Sequence, residues 1–214
     1  YPSGKLTMTF PVKFEDAASS ANFPTEGAMG NLSNMADPKE KKSDVKLWDY
    51  TDYEEDIYVG YRYFDSFEKQ VSYPFGYGLS YTTFEYGNPK VKTENGIYTV
   101  TVDVKNTKEI VELYISAPKG GELNKPEKEL KAFAKTKELN PGETTSVTME
   151  VKAFDLASYN ENSSAWVIDG GNYQFLIGAS SRDIKATLDV VVTGGVEKTN
   201  NILHLQSPIN ILKK

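Results

Sequence analysis

Five carboxylates between residues 49 and 56 are the first group in the chain whose types and spacing could do chemistry. They are Asp49, Asp52, Glu54, Glu55 and Asp56. Such a group could supply a general acid and base, or oxygen ligands for a cation. It lacks the Asp-x-Asp-x-Asp-Gly spacing of a calcium loop, and acidic residues before a strand are usually solvated. We therefore interpret the group as solvated, with no metal site, and expect an ion pair between Glu55 and Arg62.

Aromatic side chains are the second candidate for function, because the C–H faces of pyranose rings pack well on flat apolar surfaces. Trp48, Tyr61, Tyr77 and Trp166 are the residues considered for sugar stacking. The competing interpretation is packing, since large aromatic residues bury most of their area in cores and between domains. We favour packing for all four, and expect Trp166 to lie in the core between two sheets.

The remaining reactive residues do not form a catalytic arrangement. The chain has no cysteine, and its one histidine, His204, has no partner motif for a triad or a metal site. Ser180 to Asp183 contains nucleophile-type residues without a base and is predicted to be a loop between strands. Gly76 and Gly78 resemble no phosphate loop, because no helix is predicted after them. The sequence thus predicts no catalytic residue, no metal and no cofactor, and leaves substrate-binding residues unassigned.

Charge and hydropathy narrow the choice of partners. The net charge is −6 and the isoelectric point is near 5.0, which disfavours nucleic acid and anionic membranes. No apolar run approaches the roughly 20 residues that span a bilayer. The lack of cysteine does not settle the compartment, and we expect a secreted or periplasmic location rather than a cytoplasmic one. Because Tyr1-Pro2-Ser3-Gly4 resembles the middle of a protein, we expect the chain to be a fragment.

The elements that must position these residues differ between the two halves of the chain. In the first half, residues 5–10 are predicted to be a strand, residues 15–53 a long polar loop, and residues 56–65 a second strand. Residues 73–81 are rich in Gly, Pro and aromatic residues, which predicts a tight, aromatic-packed connection.

The second half alternates between apolar and polar residues, as strands do. Tyr98, Val100, Val102 and Val104 share one predicted face after the turn dipeptide Asn95-Gly96. Further segments alternate in the same way: 111–115, 129–135, 147–151, 166–168, 173–177 and 184–192. About seven strands in roughly 100 residues, separated by turn signals, predict an immunoglobulin- or fibronectin III-like antiparallel sandwich and a mainly β chain. The apolar tail after Gly194 is predicted to be a final strand or the start of a further segment.

Several motifs in this order resemble glycoside hydrolase family 3, the family of many β-glucosidases. The recognisable stretches are Pro2 to Pro11, Asn22 to Pro24, Tyr53 to Asp65, Tyr73 to Phe84, Val104 to Thr107, Lys125 to Phe133, Leu139 to Glu143 and Ile177 to Ile184. They cover roughly residues 1–190. Two departures are a long insert at 26–52 and the lack of a Gly-containing hairpin between Thr107 and Lys108, where we expect residues to be absent.

The resemblance implies a division into three parts. Residues 1–87 would close the α/β sandwich domain of such an enzyme, with a long loop and an aromatic linker. Residues 88–193 would form a fibronectin type III-like β-sandwich, and residues 194–214 a tail or the start of a further segment. The family's catalytic carboxylates lie on parts that this chain does not match, so the chain is expected to be a non-catalytic, C-terminal portion of a retaining β-glucosidase-like enzyme.

The same resemblance implies the partners. They would be the barrel and the rest of the α/β domain of the parent enzyme, and an oligosaccharide bound through that parent. Glucosides, xylosides and arabinosides all remain open as substrates, because the family shares this region among several specificities.

The alternative is a free-standing carbohydrate-binding or adhesion sandwich, since the fold does not fix function. The first 90 residues argue against it. A self-sufficient sandwich does not need them, and we expect the aromatic stretch 48–86 to be a docking face for protein outside this chain.

Overall fold

The computed structural model describes residues 3–21, 53–106, 108–200 and 209–214. Its regular structure is mainly antiparallel β, as the alternating pattern predicted. The strands are β1 (Phe10–Pro11), β2 (Val71–Tyr73), β3 (Glu85–Glu94), β4 (Ile97–Lys105), β5 (Ile110–Ser116), β6 (Glu129–Lys135), β7 (Thr144–Lys152), β8 (Ser158–Asn160), β9 (Ala165–Ile168), β10 (Gly171–Ser180), β11 (Asp183–Val192) and β12 (Gly195–Lys198). One α-helix, α1 (Tyr61–Ser66), and 3-10 turns at Phe14–Asp16, Ala18–Ala21 and Ala153–Leu156 complete the elements in these ranges.

Seven strands form a two-sheet sandwich. One sheet has the order β3-β4-β7 and the other the order β11-β10-β5-β6, with every pairing antiparallel. The inward-facing side chains of β4 are those predicted, and they are buried against residues of β5, β7 and β10 such as Leu113, Met149 and Phe175. Burial of these side chains between the two sheets stabilises the sandwich.

The hairpin between β3 and β4 shows how local sequence sets the register. Glu94 pairs with Ile97, which leaves only Asn95 and Gly96 in the turn. Both residues have positive φ, 51° and 74°. A two-residue hairpin turn of this kind requires that conformation, which Asn and Gly adopt most easily. The prediction of a turn at this dipeptide is therefore confirmed.

A third sheet, with the order β12-β9-β8, contains the predicted short strand 166–168. Because β9 belongs to neither sheet of the sandwich, the prediction that Trp166 lies in the inter-sheet core is wrong. The start of the tail pairs with β9 as β12, which agrees with the predicted final strand. His204 and the apolar residues around it lie outside the described residues.

The first half of the chain departs most from its prediction. Instead of a strand over 5–10, only Phe10–Pro11 is extended and paired, with β2. Instead of a strand over 56–65, the chain forms a turn over 54–57 and then α1, which begins directly after Gly60 with its φ of 57°. Residues 22–52 of the predicted long loop lie outside the described residues, as does Thr107 at the shortened hairpin. In the described ranges, no helix is long and apolar enough to cross a membrane.

Strand β5 is buried on both faces, which explains why the two halves of the chain are in contact. Val111, Leu113 and Ile115 point into the inter-sheet core. Glu112 and Tyr114 point the other way, yet both are also buried. They are covered by residues 3–21 and 53–84, which we call the N-terminal segment.

Candidate functional site

An ion pair joins the start of the N-terminal segment to the sandwich. Lys5 Nζ lies 2.7 Å from Glu109 Oε1 and donates a hydrogen bond to Ala179 O, also at 2.7 Å. Glu109 is buried, and its backbone exchanges hydrogen bonds with the side chain and amide of Thr136. Since both charges are almost fully enclosed and each has several partners, the pair fixes where residue 5 sits on the sandwich.

A second ionic cluster joins α1 to the hairpin between β10 and β11. Asp65 Oδ1 accepts a hydrogen bond from Arg182 Nε at 2.7 Å, and Lys128 Nζ lies 3.2 Å from Asp65 Oδ2. Arg182 also donates to the backbone oxygens of Phe64 and Lys69, which lie near the C-terminal end of the helix. The Asp65 side chain is only 5% exposed. A buried carboxylate between two cations anchors the helix to the sheet.

Aromatic rings fill the space between the two ionic clusters. The Tyr61 ring lies 4.9 Å from that of Phe75 and 5.8 Å from that of Tyr114 on β5. The Tyr61 hydroxyl accepts a hydrogen bond from Leu130 N, and burial raises the pKa of this phenol. Tyr58 is fully buried and donates to Asn124 Oδ1 at 2.7 Å. These rings therefore hold the N-terminal segment against the sandwich region.

The packing interpretation is therefore confirmed for Tyr61, and Tyr77 also packs in this way, with its ring 4.9 Å from that of Tyr73. Trp48 lies outside the described residues. The expectation that the whole aromatic stretch is a docking face for absent protein is wrong for its central part. The physical reason is that β5 presents Tyr114 and Glu112 on its outer face, and the aromatic segment removes them from water.

A buried carboxyl lies directly beneath the aromatic connection. Glu112 accepts a hydrogen bond from the Tyr114 hydroxyl at 2.7 Å. Gly76 crosses above it so closely that a Cβ on that glycine would meet Glu112 Oε2 at 2.2 Å. Burial raises the pKa of Glu112 to about 7, and the Tyr114 hydrogen bond offsets this only in part. At this position the chain thus holds a carboxyl that changes charge near neutral pH.

Apolar side chains at the start of the chain remain uncovered. Met8 and Val12 are each 59% exposed, and Phe10 and Phe14 are also exposed on the same short segment. Tyr73, which is exposed on the paired strand β2, continues this surface. We call these five residues the apolar ribbon. A contiguous exposed apolar surface normally marks a contact with another protein surface.

A smaller aromatic cluster lies on the third sheet. Trp166 is 39% exposed and contacts two other rings, those of Tyr159 at 5.3 Å and Phe154 at 5.8 Å. Adjacent rings are inclined by 60° to each other, so the three do not form one flat platform. The cluster therefore has no flat surface on which one sugar ring could stack against all three side chains.

The acidic group considered at the outset does not form a metal site in the described residues. Glu54, Glu55 and Asp56 occupy a turn in which Asp56 N and Tyr58 N donate to backbone oxygens, and the described ranges contain no group of three or more side chains able to hold a metal ion. Asp49 and Asp52 lie outside those ranges. The predicted Glu55–Arg62 pair is wrong: Arg62 lies on α1, which directs it to Glu129 on β6 at 3.0 Å.

The serine-containing turn is the connection between β10 and β11, as predicted. Ser180 Oγ accepts hydrogen bonds from the backbone amides of Arg182 and Asp183, so it caps the turn. Residues after Gly78 continue without a helix until β3, which agrees with the rejection of a phosphate loop. Gly78 instead allows close approach to Gly4, because a Cβ would lie 2.5 Å from Gly4 O.

Sequence reasoning missed the residues that hold the junction together. Lys5, Asp65, Glu109 and Glu112 were not singled out, and Arg182 was considered only as part of a turn. One signal was present: Glu112 interrupts the apolar run Ile110 to Ile115. A charged residue in such a run indicates either a solvated outer face or a buried polar contact, and the sequence does not distinguish the two.

Comparison with known proteins agrees with this architecture. A family model described as a fibronectin type III-like domain matches residues 109–181. Thermostable beta-glucosidase B of Acetivibrio thermocellus is 40% identical over 92% of this chain, which spans 24% of that protein. Beta-glucosidase 3B of Thermotoga neapolitana, solved in complex with glucose, is 42% identical with a TM-score of 0.76, over 92% of this chain and 26% of its own.

A third relative has the name of the family in its own description. The GH3 beta-glucosidase of Bifidobacterium adolescentis is 33% identical with a TM-score of 0.74, and covers 96% of this chain and 28% of its own. The chain thus spans about a quarter of the length of the relatives it matches. The motifs, the sandwich and these matches agree: the chain belongs to glycoside hydrolase family 3, as a C-terminal region with a fibronectin type III-like domain.

Proposed function

We propose that this chain is the non-catalytic, C-terminal portion of a retaining family 3 glycosidase that removes terminal β-linked sugars from oligosaccharides. Its role is to support the catalytic domains of the parent enzyme. The apolar ribbon carries this proposal, because it groups five exposed apolar side chains on and beside one small sheet, where another protein surface can cover them. A β-glucosidase is the favoured activity, since the three relatives named above, which match over most of the chain, bear that name.

The buried acids support a structural rather than a catalytic role. Retaining glycosidases need two carboxyl groups about 5–5.5 Å apart that face the substrate. Asp65 is enclosed by Arg182 and Lys128, and Glu109 is enclosed with Lys5. Glu112 lies beneath Gly76. Each of these carboxyls is turned away from solvent and committed to the junction.

The ribbon is the part of the chain that we propose contacts the parent. Phe10 and Tyr73 belong to the two-stranded sheet of β1 and β2, and the other three ribbon residues flank β1 in the chain. The partner we propose is the remainder of the α/β domain together with the barrel. Burying a side chain such as Val12 in that contact would contribute about 1.5 kcal/mol.

A chimera tests this role. When the matching quarter of the Thermotoga neapolitana enzyme is replaced by this chain, we expect a folded enzyme that hydrolyses an aryl β-glucoside with retention. The chain alone should give no turnover. Val12→Ser should lower the melting temperature of the chimera and leave that of the isolated chain within about 1 °C, since only the chimera buries Val12.

Val191→Ser is the matched control, because Val191 lies on β11 and is 83% exposed. Val191→Ser should leave the melting temperatures of the chimera and of the isolated chain unchanged. Turnover by the isolated chain, or an equal effect of Val12→Ser on both proteins, would contradict the support role.

The exposed Trp166 cluster favours a second candidate function, a sugar-contacting surface on the sandwich region. We expect soluble β-glucan to retard the chain in affinity electrophoresis if this function is present. Trp166→Ala should then weaken the interaction by about tenfold, the effect of one ring contact. Tyr98→Phe, a change inside the core, is the control and should not alter retardation. Equal migration of the wild type with and without glucan would rule this candidate out.

Location is part of the proposal. We propose a secreted or periplasmic parent, because an enzyme for plant-derived oligosaccharides meets its substrate outside the cytoplasm. Fractionation of the source cells with an antibody to this chain tests it, and signal confined to the cytoplasmic fraction would contradict it.

A further inference from the structure

Glu112 occupies an unusual position in the junction between the N-terminal segment and the sandwich. It is 4% exposed, at the centre of the outer face of β5. Its neighbours across the sheet are Gly178 on β10 and Phe133 on β6, neither of which carries charge. Gly76 covers its carboxyl group from above. An ionised carboxylate here would be cut off from water on every side.

The charged and titratable groups around Glu112 leave it without a counterion of its own. The charge of Lys5 on the N-terminal segment favours the ionised form, but Lys5 is itself held by Glu109 and by Ala179 O. Glu109 adds negative charge nearby. Tyr114 on β5 supplies the one hydrogen bond that Glu112 accepts in the described residues. Neutral phenols do not balance a buried negative charge.

Groups on the other packed elements do not help. Tyr86 on β3 and Tyr61 on α1 are neutral phenols whose pKa values burial raises. Asp65 on α1 is already bound by Arg182 and Lys128. The neutral acid form of Glu112 is therefore the form that this site accommodates best.

The backbone that covers Glu112 connects the N-terminal segment to the sandwich through hydrogen bonds. Gly76 N donates to Leu6 O and Leu6 N donates to Tyr77 O, both at 2.8 Å. One residue earlier, Ser181 N in the β10–β11 connection donates to Phe75 O at 2.9 Å. The three residues 75–77 thus connect the start of the chain to the sandwich, directly over the carboxyl group.

We propose that Glu112 is a pH-dependent latch, whose neutral form allows residues 75–77 to pack on β5 and whose ionised form loosens the N-terminal segment. The latch concerns the chain alone and does not depend on the proposed function. In the parent enzyme, the strength of the contact between the sandwich and the N-terminal segment would then depend on external pH.

The direction of the effect follows from linkage. The pKa of Glu112 is raised from 4.5 to about 7 in the fold. The stabilising contribution of the protonated form is present in full below the unfolded pKa of 4.5. It decreases as pH rises between the two pKa values, and the N-terminal segment is held most weakly above about pH 7.

Carboxyl NMR on the full 214-residue chain, labelled with 13C at the glutamate side chains, tests the first step. The signal assigned to Glu112, by its absence from the spectrum of Glu112→Gln, should titrate near 7. Tyr114→Phe removes the hydrogen bond that favours the ionised form, so the midpoint should move to higher pH. A Glu112 signal that titrates at the ordinary glutamate value would overturn the proposal.

Hydrogen exchange tests the second step. After correction for intrinsic rates, protection of residues 71–80 should fall at least tenfold between about pH 5 and about pH 8, while protection of β7 should not change. Glu112→Gln should remove this pH dependence, and Glu150→Gln, which alters an exposed glutamate on β7, should retain it. If Glu112→Gln keeps the wild-type dependence, the latch is wrong. Should Glu112→Gln fail to fold, the Glu112 signal is assigned by through-bond correlation to its own backbone, and the Tyr114→Phe midpoint shift decides the question.

Discussion

Replacing Asp65 by asparagine should lower the free energy of unfolding by about 3–5 kcal/mol. The change keeps the shape of the side chain but removes the charge between Arg182 and Lys128. Lys128, which is 12% exposed, and Arg182, which is 34% exposed, would then lose the charge that balances them. Urea unfolding measures the effect as a lower midpoint at an unchanged slope.

Glu94→Gln is the matched control for Asp65→Asn. Glu94 pairs with Lys92 at 2.7 Å, but both side chains are largely exposed, so the loss should stay below about 1 kcal/mol. The double variant Asp65→Asn with Arg182→Gln should recover part of the loss, because the second change removes one unbalanced cation. A loss for Asp65→Asn no greater than for the control would show that the cluster does not anchor α1.

Alanine at Gly76 should lower the free energy of unfolding by about 3 kcal/mol or more, for two reasons that add. Gly76 has φ 79°, which strains any residue with a Cβ. The new Cβ would also lie 2.2 Å from Glu112 Oε2, so the buried carboxyl would have to move. Thermal unfolding monitored by near-ultraviolet circular dichroism measures this change, since many aromatic rings lie at the junction.

Gly142→Ala separates the two causes. Gly142 has a similar φ of 83°, but a Cβ there would meet nothing within 4 Å. It should therefore show only the backbone cost of about 1–2 kcal/mol. In a Glu112→Ala background, which removes the carboxyl, Gly76→Ala should cost no more than Gly142→Ala. Equal effects of the two glycine substitutions in the wild type would mean that Gly76 does not press on Glu112.

These two sites explain how the N-terminal segment is held against the sandwich without a disulfide bond. The chain has no cysteine, so no disulfide joins them. Buried charges at Asp65 and Glu109 fix the position, and aromatic rings supply the apolar area between them. The contrast with the exposed apolar ribbon is informative: the chain covers its own aromatic centre and leaves uncovered the surface that we assign to the parent.

Much of the sandwich could be predicted because its determinants are local. The alternation at Tyr98, Val100, Val102 and Val104 is periodic in sequence, and a strand with one buried face must show that period. The Asn95-Gly96 turn depends only on its own two residues. The family resemblance likewise depends on ordered motifs and was confirmed.

The errors fall where distant contacts decide. The aromatic stretch 56–65 resembles a strand by composition, but it begins in a turn and, after Gly60, continues as α1, whose Tyr61 contacts β5. Arg62 then points to Glu129 rather than to Glu55. Trp166 has the residue type of a core position, yet its strand joins a separate small sheet at the surface. Residue type alone does not say which sheet a strand joins.

The sequence by itself determined the sandwich, its register at the tight hairpin and the family, because each is written in short-range periodicity or in ordered motifs. Only the tertiary structure decided which charges are buried and which apolar residues are left in water. Burial of a group such as Glu112 depends on a covering segment more than 30 residues away in the chain, and no local pattern encodes that distance. The junction is therefore a property of the folded chain.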